Sequence, residues 1–250
     1  MRHRSNTVAV SASMFAFLFG MVLFAQESEL AALSSWVAID APTGHEHLAI
    51  GQIQSEYAGW NRDSYGNLIK LIGHGEPRRV VACALDSYSY AVSQITDAGY
   101  LRLHRVGRGS SHPLWDQAHE GQQLRILTRS GPLVGVTAVA NGHFAAQHRS
   151  ETAIISHNDL WVDVGAESAL EVADMGIALL DPVLRHLPAW SYTNEVAGPR
   201  TGARVGCAAT LAAAEAGING SNGSTKYLIS VQQVFGWIGL GAGVSADTNP

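Results

Sequence analysis

One change of texture inside the chain limits its fold more than any single motif. From Tyr88 to Val164 the sequence reads as a succession of short strands without helical spacing, whereas on either side helical and strand patterns alternate. Tyr88–Ile95 and Tyr100–Val106 flank Asp97-Ala98-Gly99, and Gln122–Arg129 and Leu133–Val139 flank Ser130-Gly131. Each pair reads as a hairpin, because the intervening residues tolerate the tight turn that joins two antiparallel strands. Ile154–Val164 adds a further alternating stretch. About five short strands with no helix to cover them hide their edges best by closing on themselves, so this block is predicted to be a small β-barrel.

The flanks carry the punctuation of an α/β domain. Glu27–Ile39 has helical spacing through Leu30, Leu33, Trp36 and Val37. Thr43 and Glu46 form a T-x-x-E capping box that predicts a helix running to about Tyr57. A strand is predicted over Asn67–Ile72, a turn at Gly73-His74-Gly75, and a second strand over Arg79–Leu85, whose near-continuous apolar run suits a central strand buried on both faces. After the β-rich block, Ser168-Ala169-Leu170-Glu171 is a second capping box. A long Ala-rich helix follows from about Arg204 to Ala216, closed by Gly217, and Lys226–Phe235 reads as another apolar strand. The predicted organisation is an α/β domain made of residues 27–87 and 182–250, interrupted by a β-rich insert over 88–181.

The N-terminus bears on compartment. Arg2 and Arg4 precede Met14–Ala25, an apolar stretch without a charge, and Gln26-Glu27-Ser28-Glu29 then turns polar. This is the layout of an export signal cut after Ala25. Leu23 is large for the position three residues before that cut, and Thr7–Ala25 is long enough to span a bilayer, so an uncleaved anchor is the alternative. Either way residues 1–25 predict an exported, periplasmic or otherwise extracytoplasmic protein. With 46% hydrophobic and 15% charged residues the chain can bury a core, which excludes a disordered chain. A net charge of -5 without a Lys/Arg cluster argues against a nucleic-acid partner. Two cysteines provide neither a disulfide scaffold nor a thiolate zinc site.

Five short segments occur in an order that resembles one family. They are Ala41-Pro42-Thr43-Gly44-His45-Glu46, Asp63-Ser64-Tyr65-Gly66-Asn67-Leu68-Ile69, Val162-Asp163-Val164-Gly165-Ala166-Glu167-Ser168, Gly176-Ile177 and Asp181-Pro182-Val183. Together they resemble the dinuclear-metal aminopeptidases of the glutamyl and tetrahedral type, a family also misnamed cellulase or endoglucanase. The resemblance runs from about Leu30 to Gly243 and implies a Zn-peptidase-like α/β domain interrupted by a small dimerisation barrel.

It also implies where catalysis belongs. Two-metal hydrolysis needs ligands holding two cations about 3.5–4 Å apart and a carboxylate to deprotonate the water between them. Where the family has His-x-Asp, this chain has Ala84-Leu85-Asp86; where it has Asp-Asp-Arg-x-Gly, this chain has Gly202-Ala203-Arg204-Val205-Gly206. Where it has Gln-Glu-Glu-x-Gly, this chain has Gln232-Gln233-Val234-Phe235-Gly236. Asp86 and Arg204 survive; Ala84, Gly202, Ala203, Gln233 and Val234 stand in place of ligands and base, and the family's remaining ligands lie beyond Pro250. The resemblance places Cys83 and Cys207 close to the same site, where they either form a disulfide or pack as small buried apolar residues.

The expectation that follows is a truncated, non-catalytic homologue without metal or other cofactor, exported or membrane-anchored. It would serve as a structural or interaction subunit with other protein subunits of a membrane complex, or as a homo-oligomer through the insert. The alternatives are a metal-dependent aminopeptidase-family hydrolase with a rebuilt site, or a module binding a peptide or small ligand in the vacant cleft. Other candidates are weaker. His45 and His47 are two residues apart, which on a helix does not present both rings to one metal. His112, His119 and Glu120 read as polar loop residues and His143 as structural. Gly236–Gly243 lacks the acidic residue and βαβ continuation of a dinucleotide site and reads as a turn.

Overall fold

The computed structural model describes residues 31–107, 116, 118–138, 156–186, 188–193, 195–198, 200–220 and 222–245. The export signal or anchor expected at residues 1–25 lies outside them. Among the described residues no helix is long and apolar enough to cross a membrane.

Two layers of elements build the α/β part. A helix over residues 31–38 (α1) and a second at His47–Glu56 (α2) precede strands β1 (Asn61–Arg62), β2 (Leu68–Gly73) and β3 (Arg78–Ala84). After the insert come helix α4 (Thr201–Glu215), strand β12 (Ser224–Ser230) and helix α5 (Ile238–Ser245). The sheet order is β1-β2-β12-β3, with β12 antiparallel to β2 and parallel to β3. The central buried strand is therefore Ser224–Ser230, all seven residues of which are buried. The Arg79–Leu85 run does not hold that position: among the described residues β3 pairs on one side only, and Val80 and Val81 are exposed. Its apolar character reflects β propensity rather than two covered faces. Trp36, Ile50, Ile53, Leu68, Leu85, Leu211, Tyr227 and Ile229 form the core beneath α1, α2 and α4.

The insert is a closed barrel of order β4-β5-β8-β7-β6-β9. Its strands are β4 (Tyr90–Ile95), β5 (Leu101–Arg105), β6 (Gln123–Thr128), β7 (Gly131–Ala138), β8 (Trp161–Asp163) and β9 (Pro182–Arg185). Both expected hairpins form, β4 with β5 and β6 with β7. The barrel has its own core, including Val92, Leu101, Leu124, Ile126, Val162 and Val183, against which Val172 of helix α3 (Ala169–Asp174) packs. Pro182–Arg185, placed with the α/β domain by sequence, instead closes the barrel by pairing with β4 and β6. A two-stranded ribbon, β10 (Trp190–Tyr192) with β11 (Glu195–Ala197), leads back to α4.

The two capping boxes fare differently. Ser168 caps α3, its hydroxyl accepting the Glu171 N–H at 3.2 Å. Thr43 and Glu46 do not cap α2: the helix begins after Glu46 with no side-chain cap, and both side chains are drawn into tertiary bonds instead. Gly236–Gly243 is likewise more than a turn, since α5 begins at Ile238.

Candidate functional site

The positions singled out by sequence converge where β3 and β12 end. Asp86, 5% exposed, follows β3 and acts as an acceptor hub. Its Oδ1 accepts the Gln233 N–H at 2.9 Å, and its Oδ2 accepts the Val234 N–H at 3.1 Å and the Thr43 hydroxyl at 2.8 Å. Thr43 also donates to the Ser87 carbonyl. Glu46, equally buried, accepts the Gln232 N–H at 2.9 Å. Three consecutive amides of the loop after β12 thus point at two carboxylates. Gln232 reaches this geometry in the left-handed region, at φ 58°, where a non-glycine residue is strained.

Arg204 lies beneath this loop on the first turn of α4, with no exposure. Its guanidinium donates to the Leu85 and Ile39 carbonyls and to the Ser87 hydroxyl. Burial first, then the neighbouring Arg200, pull it down to about 9 against the raising effect of Asp86 and Asp40, which leaves it cationic at neutral pH. Gly202 and Ala203 are exposed on the same turn. Cys83 and Cys207 are joined as a disulfide with their Cα atoms 5.2 Å apart, tying β3 to α4 beside the site. Of the two alternatives left open for these cysteines, the structure has the bridge.

Asn67 extends the frame. Its side chain donates to Asp63 at 2.7 Å and to the Gly239 carbonyl at 2.8 Å, and accepts the Val231 N–H at 3.1 Å. A Cβ on Gly239 would sit 2.3 Å from the Val231 carbonyl oxygen, so only glycine lets α5 approach this closely. A cavity of about 230 Å³ opens beside the loop, lined by Gly44, Glu46, His47, Ile50, Arg62, Tyr65, Gly66, Val231 and Gln232.

The loop histidines divide. His45 and His47 are exposed, their ring centroids 6.4 Å apart. His112 and His143 lie outside the described residues. His119 is buried edge-on against Tyr90, and Glu120 is exposed. Next to them is a cluster that sequence reading missed. Asp116 accepts the Tyr90 hydroxyl at 2.6 Å and the His157 N–H at 2.9 Å, and pairs with Arg105. Burial raises the Asp116 carboxyl, but these partners outweigh burial and bring it down to about 2. Burial, reinforced by Asp116, pushes the Tyr90 hydroxyl far above its ordinary value. A short polar loop between strands gives no signal that its Asp is buried.

The donor set does not fit the metal pair that the resemblance implies. Ala84 has no donor, Gly202 and Ala203 bring only backbone, Val234 is aliphatic and Gln233 is uncharged. Asp86 is already engaged by three donors. Among the described residues no group of three or more His, Cys, Asp or Glu could hold a metal ion.

Comparison with known proteins adds an independent line. The model of the M42 glutamyl aminopeptidase family matches residues 66–248. The Escherichia coli (strain K12) protein SgcX, named as an aminopeptidase, is 28% identical over 218 residues, covering 83% of this chain and 57% of SgcX. An aminopeptidase from the archaeon Desulfurococcus kamchatkensis is similar in structure, with a TM-score of 0.75 at 20% identity over 89% of this chain and 61% of its own. The Pyrococcus horikoshii TET1 peptidase, described as assembling into a tetrahedron or a large octahedral shell, gives 0.66 at 24% identity over 83% and 62%. The chain therefore spans under two thirds of the length of each of these relatives. These matches overturn the expectation of a non-enzyme: the family model and the relatives are those of aminopeptidases. The lost ligand positions had suggested otherwise, but they describe five residues, whereas the family match covers most of the chain.

Proposed function

The chain belongs to the M42 glutamyl aminopeptidase family, and from that premise we propose that it acts as an aminopeptidase-type hydrolase on the N-terminal residues of peptides, with a rebuilt site. The observation that supports this most directly is the retained frame. Asp86, Thr43, Asn67 and Arg204 hold the ends of β3, β12 and α4 together at the place where the family carries its chemistry. The rebuilt site draws its reacting groups from positions other than Ala84, Gly202, Ala203, Gln233 and Val234. The decisive experiment is turnover of aminoacyl chromogenic substrates by the purified full chain, with and without added zinc, cobalt or manganese, alongside elemental analysis. Turnover that Asp86→Ala abolishes supports the reading; no turnover under any of these conditions overturns it.

Two further elements belong to the proposal. Tyr100, Val134, Val136 and Trp161 are exposed on the barrel, and an apolar patch of this kind suits self-association, as in the TET relative. The Cys83–Cys207 bridge suits an oxidising compartment and hence export. Light scattering and fractionation test these two points, and a reduced, monomeric cytoplasmic protein would refute both.

A further inference from the structure

The cavity beside the β12 loop is lined by two ionisable side chains, Glu46 and Arg62, that have no ion-pair partner among the described residues. Glu46 is 5% exposed. One of its oxygens accepts the Gln232 N–H, and among the described residues it has no ion-pair partner. A buried carboxylate without a counter-charge is costly, and the cost falls when a cation with N–H donors comes to it. Arg62, which also lines the cavity, is exposed and likewise has no ion pair among the described residues. The exposed lining is mainly polar, and Ile50 and Val231 are almost fully buried.

We propose that this cavity binds a free α-amino acid, its ammonium on Glu46 and its carboxylate on Arg62. Size and chemistry agree. The volume of about 230 Å³ is below the range of drug-sized pockets. A guanidinium fork matches a carboxylate in two parallel hydrogen bonds, and a compact ammonium matches a buried carboxylate. An α-amino acid is the smallest common metabolite that carries both groups. The proposal concerns equilibrium binding and does not require that the chain hydrolyse peptides.

The test is calorimetric titration of the purified full chain with leucine, leucinamide and N-acetyl-leucine. Leucine is expected to bind, leucinamide more weakly, and N-acetyl-leucine more weakly than leucine by about tenfold or more, one lost charged contact being worth about that factor. Arg62→Ala is expected to reduce leucine binding to the level of leucinamide and to leave leucinamide unchanged. Glu46→Gln keeps an oxygen for the Gln232 N–H while removing the charge, and is expected to weaken both amines about tenfold. Equal binding of leucine and N-acetyl-leucine, or no leucine binding by a chain that is folded by circular dichroism, overturns the proposal. Because the readout is equilibrium binding, an inactive chain that binds leucine refutes only the hydrolase reading, and an active chain that does not bind leucine refutes only this one.

Discussion

Reducing the Cys83–Cys207 bridge should weaken the α/β part by an amount that reveals how the barrel unfolds. The cysteines are 124 residues apart, and for a free loop of that length the chain-entropy relation gives about 4.9 kcal/mol at 25 °C. The barrel lies within this loop, and its first and last strands pair at Tyr90 and Val183. A barrel that stays folded while the α/β part opens would bridge about 96 residues, leaving about 28 in the flexible loop and a contribution of about 3.6 kcal/mol. With a urea dependence of about 3 kcal/mol/M, the two cases correspond to midpoint shifts of about 1.6 M and about 1.2 M. The assay is urea unfolding of oxidised and reduced chain, followed by far-ultraviolet circular dichroism and by tryptophan fluorescence. The smaller shift should come with a second, reduction-insensitive transition from the barrel. A shift below about 0.3 M, under about 1 kcal/mol, would refute the reasoning, since the bridge would then not be constraining the unfolded chain.

Other perturbations probe the frame. Arg204→Met leaves the Leu85 and Ile39 carbonyls and the Ser87 hydroxyl without their buried donor, and should destabilise by about 2–4 kcal/mol in urea unfolding; an unchanged midpoint would count against the assigned contacts. Gly239→Ala drives a methyl into the Val231 carbonyl and should lower stability by about 1–3 kcal/mol, a prediction lost if thermal melting is unaltered. The folded-state pKa of Asp116, about 2, lies below its unfolded value of about 3.9. Its stabilisation is therefore full above about pH 4 and disappears as pH falls through about 2, amounting to about 2 kcal/mol. Acid titration of Asp116→Asn should lack that component, and equal acid sensitivity of the two proteins would contradict it.

The parts of the fold legible in the sequence were those set by local pattern. Asp97-Ala98-Gly99 and Ser130-Gly131 carry turn chemistry, and both hairpins formed there. Ser168 and Glu171 carry cap chemistry, and α3 begins there. Thr43 and Glu46 have the same spacing, yet tertiary acceptors and donors took both side chains, so a capping signal was in fact a site signal. Which strand lies at the centre was not legible, because Arg78–Ala84 carries the longer apolar run whereas Ser224–Ser230 contains Lys226, and only pairing decides. At the site, the ligand positions could be placed by motif order, but Asp86 as an amide acceptor, the Asn67 tie and the buried Asp116 cluster depend on contacts between segments distant in sequence.

Backbone strain explains why those distant contacts gather where they do. Arg200, Gln232 and Trp237 are all left-handed, at φ 64°, 58° and 64°, and all border the site. Each costs about 1 kcal/mol or more relative to glycine, so each must be held by bonds that the strained geometry makes available. The Arg200 carbonyl accepts the Arg204 N–H that opens α4, and the Trp237 N–H returns to the Gln233 carbonyl before α5 begins. Gln232 turns the loop so that its own amide meets Glu46 while the next two meet Asp86. Two buried carboxylates therefore share one loop, but they do not share a counter-charge. Arg204 lies close enough to Asp86 for the carboxylate to raise its pKa, whereas Glu46 has no ion-pair partner among the described residues and lines the cavity that Arg62 also lines. A positively charged ligand group is thus expected on the Glu46 side of the loop, and the Asp86 side is satisfied by the protein itself.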